Sequence, residues 1–568
     1  MKRNNKIKYS LYAILAATTF SLNSCKIDVI PQDRYSEDVI WSDPSTIELY
    51  VNGLYSEFKN FQFGLFPNLG YTNAMDALAD GMKFTSTAPG NGTVNILISS
   101  ASQFSASSVG LNYWGTGYAR IRRINEFING LYTKSLVPDE DKARYEAEAR
   151  FIRAYCYSWL AKLHGSVIIL KDLNEYSTKD RQRSSEGEVY DFMIEDLKFA
   201  AENLPKTQLR GRATKGAANA LLSRVALYAG SIAKYDQKLY NSDPLTGIES
   251  NKASSYFTIS SQAAQAVIAD GLYELDANFS TLFTNRNSKE GILTVDFVAP
   301  NVTHQYDFYY APPRDLEQPQ VHGVPTAELV DEFEMADGSK FSWSNAAHRA
   351  NPYANREPRF YATILHNGMS WKGRQLNTTT NDASEGFIAY GTTGDPRRTV
   401  TGYYAKKFLD EKNTNIVVNR STQSWIELRY AEVILNLAEA QAQLGDFTAS
   451  AATLNQLRSK RGSAQSTLQS VYFNTNTTAM EAIEHERIVE LAFEGHRFWD
   501  LRRWRKAHIV LNNTRMTGHK ITPEGSAFKY ESVAVDNVNR EFTGKLYYLP
   551  ILEDEIQKNL ALTQIQGW

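Results

Sequence analysis

Two apolar stripes of helical spacing, joined by only two residues, constrain this chain most. Ala431, Ile434, Leu435, Ala438 and Ala442 form the first stripe, which ends at Leu444-Gly445. Asp446 then stands where a helix cap is needed, and Leu454 and Leu457 carry the second stripe to Arg461-Gly462. Such spacing specifies amphipathic helices, and a Gly-Asp link sends the second helix back antiparallel to the first. The pattern recurs upstream. Ala147, Phe151, Ala154, Tyr155 and Trp159 precede His164-Gly165, and Ala217, Ala220, Leu221, Val225 and Tyr228 precede Gly230. Alanines in the latter stripe leave room for close helix packing. A last helix is expected from about Ala479 to Phe493.

The Gly445-Asp446 hairpin looks like a tetratricopeptide unit, although no strict period of about 34 residues survives. Between Ile292 and Trp425 the pattern breaks into short alternating runs such as Leu293-Thr294-Val295-Asp296-Phe297, set among Gly-, Asn- and Thr-rich loops such as Asn377 to Gly394. The expected fold is therefore mainly α: a tetratricopeptide-like helical-hairpin scaffold carrying an inserted, loop-rich and partly β segment. Its divisions are a leader at 1–24, a helical region at 25–291, the variable segment at 292–425 and a second helical region at 426–568.

The N-terminus sets the compartment. Lys2, Arg3, Lys6 and Lys8 precede an apolar run from Leu11 to Phe20, too short to span a bilayer and arranged as a secretory signal. Leu22-Asn23-Ser24-Cys25 follows and resembles a bacterial lipobox, which implies acylation of Cys25 and membrane anchoring by several chains. With Cys25 lipidated, Cys156 has no disulfide partner, and its helical apolar surroundings suit a buried, inert thiol. The 61 basic and 63 acidic residues leave a net charge of −2, which argues against nucleic-acid binding by phosphate neutralisation. No later stretch is apolar for 18 residues or more.

Catalytic motifs are wanting. His485-Glu486 opens like a zinc-protease helix, but Val489 stands where the second ligand belongs. Ser231-Ile232-Ala233-Lys234 and Ser56-Glu57-Phe58-Lys59 both match Ser-x-x-Lys without a Lys-Thr-Gly partner. Carboxylates at Glu484/Glu486 and Glu490/Glu494 are flanked by arginines and read as ion-pair faces. A glycosidase acid pair stays open, because its two carboxylates need not be near in sequence. No metal-ligand spacing or cofactor motif occurs; oxygen ligands for a structural calcium can be gathered from distant loops without a signature.

Ordered blocks along the chain resemble the SusD/RagB family of surface lipoproteins. They comprise Val51-Asn52-Gly53-Leu54-Tyr55, then Trp114 with Tyr118-Ala119-Arg120-Ile121, and Ala147-Glu148-Ala149-Arg150-Phe151-Ile152-Arg153-Ala154 with Tyr157 to Gly165. Later come Arg429-Tyr430-Ala431-Glu432-Val433 with Ala438-Glu439-Ala440, and Glu486-Arg487, Glu490-Leu491 and Glu494-Gly495 before His496-Arg497-Phe498-Trp499-Asp500-Leu501-Arg502-Arg503. Leu549-Pro550-Ile551, Glu555-Ile556, Asn559 and Gly567-Trp568 close the series. Ser166-Val167-Ile168 departs from it, since many members have a proline there. Beside apolar stripes, Glu432, Glu439, Arg150, Arg153 and Arg497 suit partly buried ion pairs, and Trp499 and Trp504 suit the core.

The resemblance implies a non-catalytic outer-membrane lipoprotein at the cell surface. It would capture glycan oligomers for a SusC-like TonB-dependent transporter. Peptide capture, as in the RagB branch, is the alternative within binding, and a surface glycoside hydrolase is the rival from another class. Sugar capture needs flat rings for pyranose faces and planar polar groups for hydroxyls. Candidates in the variable segment are Tyr306, Phe308, Tyr309 and Tyr310, whose run also reads as a strand with one buried face, and the loop rings Trp343 and Trp371. Asp80, Lys83 and Phe84, in an earlier loop with Asp76, complete the set.

Overall fold

The computed structural model describes residues 37–56, 58, 71–85, 98–100, 105, 112–236, 243–318, 321–394, 397–414, 416–418, 420–462 and 468–568, with backbone alone at 37–39 and 71–74. The expected leader and the lipid-bearing Cys25 lie outside these residues. Helices α1 (Pro44–Leu54) and α2 (Tyr71–Leu78) and the short strand β1 (Met82–Phe84) lead into a row of long helices. These are α3 (Trp114–Thr133), α4 (Asp139–His164), α5 (Glu186–Asn203), α6 (Lys215–Tyr235) and α7 (Ala253–Ala269), each packed on the next.

Local chemistry sets their ends. In α4, Asp139, Glu140 and Asp141 in the first turn complement the helix dipole. Gly165 stops it at φ 70°, and a Cβ there would fall 2.5 Å from the Tyr548 ring, so only glycine fits. Ser185 and Glu188 form a capping box on α5. Where α6 meets α7, a Cβ on Gly230 would lie 2.8 Å from the Phe257 ring; small residues let these helices touch. Cys156 is buried within α4.

The chain then leaves the row through β2 (Gly291–Val295), α8 (Tyr306–Tyr310), β3 (Gly323–Pro325), α9 (Ala327–Glu332), β4 (Ile364–Leu365), β5 (Ser370–Trp371), β6 (Arg374–Gln375) and β7 (Tyr404–Ala405), and returns through β8 (Trp425–Arg429). Strands β2 and β8 are antiparallel, with Thr294 opposite Ile426 and Val295 opposite Trp425. Departure and return thus share one ladder, and the helical row continues across it. Helix α10 (Tyr430–Gln443) packs on α7 and on both α11 (Phe447–Arg461) and α12 (Asn476–Glu490). Asp446 caps α11 by accepting from Ala449 N at 3.0 Å, as its position predicts. Beyond α13 (Arg497–Arg503), β9 (Thr517–Glu524) and β10 (Ala527–Ala534) form a hairpin that the sequence reading does not anticipate. The architecture is otherwise the expected one: helical hairpins with a loop-rich, partly β insertion.

Buried charges bolt the insertion to the scaffold. Arg429 contacts Glu290 at 2.6 Å, Glu490 at 2.7 Å and Glu494 at 2.6 Å, and Arg461 reaches Glu290 and Glu490. From the insertion, Arg359 meets Glu357, Glu486 and Glu490, while Lys407 meets Glu494. Ion pairing at these glutamates follows the sequence, but they are buried and do not form a solvated face. Burial alone would keep Glu490 protonated; Arg461, Arg429 and Arg359 overcome it and hold its carboxyl well below the ordinary range. Arg153–Asp196, Arg224–Glu432 and Arg503–Glu439 are similar pairs, and Trp499 and Trp504 are core residues. Among the described residues no helix is long and apolar enough to cross a membrane.

Candidate functional site

The structure sorts the rings singled out above. The Tyr306–Tyr310 run is a short helix, α8, not a strand. Its i, i+4 pair faces inward: Tyr306 and Tyr310 are buried and stacked with centroids 4.6 Å apart, and the Tyr306 hydroxyl donates to Lys407 O at 3.2 Å. These two rings offer no face to a ligand. Phe308 and Tyr309 stay half-buried on the outer side, with Tyr309 4.1 Å from the His322 ring.

Trp371 is likewise a core residue, 0% exposed, and its indole N–H donates to Asp315 Oδ2 at 2.6 Å. The polar residues around it form a tight turn over the ring, with Lys372 at φ 48° and Gly373 at φ 76°. Phe84 and Lys83 lie on β1, not on a loop, because β1 pairs with β3 of the insertion. Phe84 is fully buried. Lys83 is 2% exposed, with Nζ 2.8 Å from Asp536 and 4.1 Å from the Tyr390 centroid. Burial lowers its pKa to about 8 although Asp536 opposes the shift. Asp80 is bound by Arg497 through both oxygens, at 2.9 and 2.7 Å. Burial works against its ionisation, but Arg497 prevails and holds the carboxyl below its ordinary value. These positions hold the fold together.

Trp343 differs. Its ring is half-buried, and its indole N–H donates to Asp331 Oδ2 at 2.9 Å. It lies 4.4 Å from the His519 ring, 5.5 Å from Tyr530 and edge-on to Phe341 at 5.3 Å. The hairpin register pairs Tyr530 with Ile521, Ser532 with His519 and Phe528 with Pro523. Alternation along each strand therefore puts His519, Tyr530 and Phe528 on one face, the face that meets Trp343. Phe528 is 44% exposed. Hydroxyls of Ser342 and Ser344 and the amide of Asn345 border the indole in sequence. His519 is fixed from behind by Tyr403, whose hydroxyl lies 2.8 Å from Nδ1. Burial raises Asp331 to about 7, opposed by the indole hydrogen bond.

This is a shallow aromatic platform with hydroxyl and amide groups at its edge. Such a surface stacks on an apolar ring face and exchanges hydrogen bonds around it, which is non-covalent binding chemistry. Among the described residues no three His, Cys, Asp or Glu side chains are placed to hold a metal ion. Tyr530 and Phe528 were missed because the hairpin was missed. The signal was present: alternation through Phe528 and Tyr530 after the turn at Glu524-Gly525-Ser526.

Comparisons agree with this architecture. Residues 289–568 match the pattern of the SusD family, and residues 58–227 match a family described as starch-binding, associating with the outer membrane. SusD-like protein P2 of Formosa agariphila is 25% identical over 413 residues, 70% of this chain and 72% of the relative. A SusD-like protein from Bacteroides fragilis has a solved structure that superposes with a TM-score of 0.76 at 28% identity, covering 94% of this chain and 99% of that one. A SusD-like carbohydrate binding protein from the same species superposes at 0.75 with 23% identity, over 92% and 100% of the two chains. Two family patterns covering 58–227 and 289–568 and a superposition over nearly the whole chain agree, and this chain belongs to the SusD/RagB family.

Proposed function

We propose that the protein is a cell-surface lipoprotein that captures glycan oligomers and passes them to a SusC-like TonB-dependent transporter in the outer membrane. The observation that carries the glycan reading is the platform of Trp343, Tyr530 and Phe528, where a ring chosen from sequence remains half-exposed, is hydrogen-bonded to Asp331 and packs on the buried His519. Support comes from the starch-binding description of the family matched at 58–227 and from the carbohydrate-binding relative of the same fold. Membrane association has two supports: that same description and the lipobox at Cys25. Binding without turnover suits an open surface that stacks and hydrogen-bonds.

Affinity electrophoresis of the wild type and Trp343→Ala against a polysaccharide panel tests the reading. Retardation of the wild type by at least one glycan, lost in the variant, is the expected result. Retention by peptides alone would replace it with peptide capture, and release of shortened sugars would mark an enzyme.

A further inference from the structure

The β9–β10 hairpin carries an open strand edge. On β9, His519 N donates to Thr401 O and Ile521 O accepts from Thr380 N, so the odd-numbered residues turn their main-chain groups away from β10. The even-numbered ones, Gly518, Lys520 and Thr522, therefore bond to Val533, Glu531 and Lys529, their partners in the register. Pro523, which has no N–H to give, falls at a non-bonding position opposite Phe528, as this parity requires. On β10 it follows that Phe528, Tyr530 and Ser532 point their N–H and C=O groups outward. Among the described residues no strand or loop pairs with that edge, and β10 is exposed or half-exposed along its whole length.

Open edges are commonly guarded by lysine, proline or a bulge. Strand β10 instead carries one charge of each sign, Lys529 and Glu531, on either side of Tyr530 and on the face away from the platform. Lys529 and Lys520 lie 3.0 and 3.7 Å from the Glu531 carboxylate. A Lys-x-Glu triplet is complementary to itself when reversed. About a two-fold axis at Tyr530, Lys529 faces Glu531 of a second copy and Glu531 faces that copy's Lys529. The same register sets Tyr530 opposite Tyr530 and Phe528 opposite Ser532, the residues whose main-chain groups are free, and overlaps the strands almost completely. Sliding the copies by two residues sets Lys529 against Lys529 or Glu531 against Glu531. Trp343 leaves the edge clear, since its ring lies nearer His519 on β9, at 4.4 Å, than Tyr530, at 5.5 Å.

We propose that β10 pairs antiparallel with β10 of a second copy of this chain, joining two hairpins into one continuous sheet about a two-fold axis at Tyr530. Opposite charges directly across such a ladder favour pairing and like charges oppose it, so Lys529 and Glu531 fix the register. Edge-to-edge pairing of eight-residue strands buries little area beside a standard protein interface. The dimer is therefore weak in dilute solution and forms where lipid anchors hold copies close together. One consequence rests on the glycan reading, although the pairing itself does not. Tyr530 and Phe528 of both copies share one sheet face, which brings two platforms side by side for a single long glycan.

Disulfide trapping in membranes carrying the full chain tests this. Differently tagged Lys529→Cys and Glu531→Cys chains, expressed together, should cross-link to one another about tenfold faster than either does to itself. Only the mixed pair sets its cysteines directly opposite, at a Cα separation of about 4.5 Å. Cys156 is buried, and the wild type serves as the control. Ser532→Pro removes an outward N–H and no bond within the hairpin, so in both chains it should leave the melting temperature little changed and cut mixed cross-linking about tenfold. With Ala527→Cys and Val533→Cys as the trapping pair, Lys529→Glu should lower the yield, and Lys529→Glu with Glu531→Lys should restore it. Equal rates for mixed and self pairs, or no effect of Ser532→Pro, would overturn the proposal. So would capture of a free 527–534 peptide by chains that do not trap one another, which would make the edge a peptide site.

Discussion

Trp343 and Trp371 have similar polar neighbours in sequence and opposite surroundings in space. Each indole N–H is anchored to an aspartate, Asp331 for Trp343 and Asp315 for Trp371, but only Trp343 keeps part of its ring at the surface. Removing Trp343 should therefore weaken glycan binding by about 1–3 kcal/mol, the scale on which flat ligands lose one stacking ring. Calorimetry should show that loss with a smaller drop in melting temperature than Trp371→Ala gives. Trp371→Ala should do the reverse. A large buried ring cut to a methyl group destabilises by about 3–5 kcal/mol and takes the indole donor from Asp315, which keeps only its Arg374 partner. Denaturant titration would show the loss, while the folded fraction keeps its affinity.

The same contrast holds for whole elements. Helix α12 carries Glu486 and Glu490 into the charge cluster that clamps the insertion. Glu490→Ala would leave Arg429 and Arg461 buried short of a counter-charge, a change expected to destabilise by about 3–5 kcal/mol in urea unfolding. The helices that build this clamp were legible because their period, glycine stops and Asp446 cap are local signals. What escaped was set by partners distant in sequence. Asp315 lies 56 residues from the tryptophan it anchors, and Asp536 lies 453 residues from Lys83. Loop composition around Trp371 gave no hint of burial, and five residues from Tyr306 to Tyr310 are too few to separate a strand's alternation from a helix's i, i+4 pair. Half of the platform sits on the unanticipated hairpin. Tyr530→Ala should accordingly reduce glycan affinity, in calorimetry, in the same direction as Trp343→Ala and by less, since Tyr530 is Trp343's neighbour on the hairpin's inner face.

For the molecule as a whole, acid should be a stronger denaturant than its near-neutral charge suggests. Seven of the nine histidines are held below their ordinary value by burial, six of them strongly: His304 and His322 at about 3, and His164, His366, His496 and His519 at about 4, with His508 lowered as well. An unfolded chain binds protons at these rings below about pH 6.5, whereas the folded chain refuses them until about 3–4. Stability contributed by the neutral rings is thus present above pH 6.5 and is lost as pH falls towards 4. Raised carboxyls act the other way. Asp76 at about 8 and Asp331 at about 7 keep their protons in the fold and favour it as pH drops; Glu186, Asp307, Glu328 and Glu334, also raised by burial, act in the same direction. Between pH 6.5 and 5 the two strongly raised aspartates offset only part of six histidines. Net proton uptake on unfolding should exceed one, which corresponds to a loss of more than about 1.4 kcal/mol per pH unit. Below about pH 4.5 the ion-paired Glu490 and Glu432, held low by their arginines against burial, add to the loss in the same direction. Urea midpoints measured from pH 7.5 to 5 should therefore fall steeply, and His366→Gln should remove up to one proton from the slope. A flat profile over that range would mean that the buried rings take up protons within the fold.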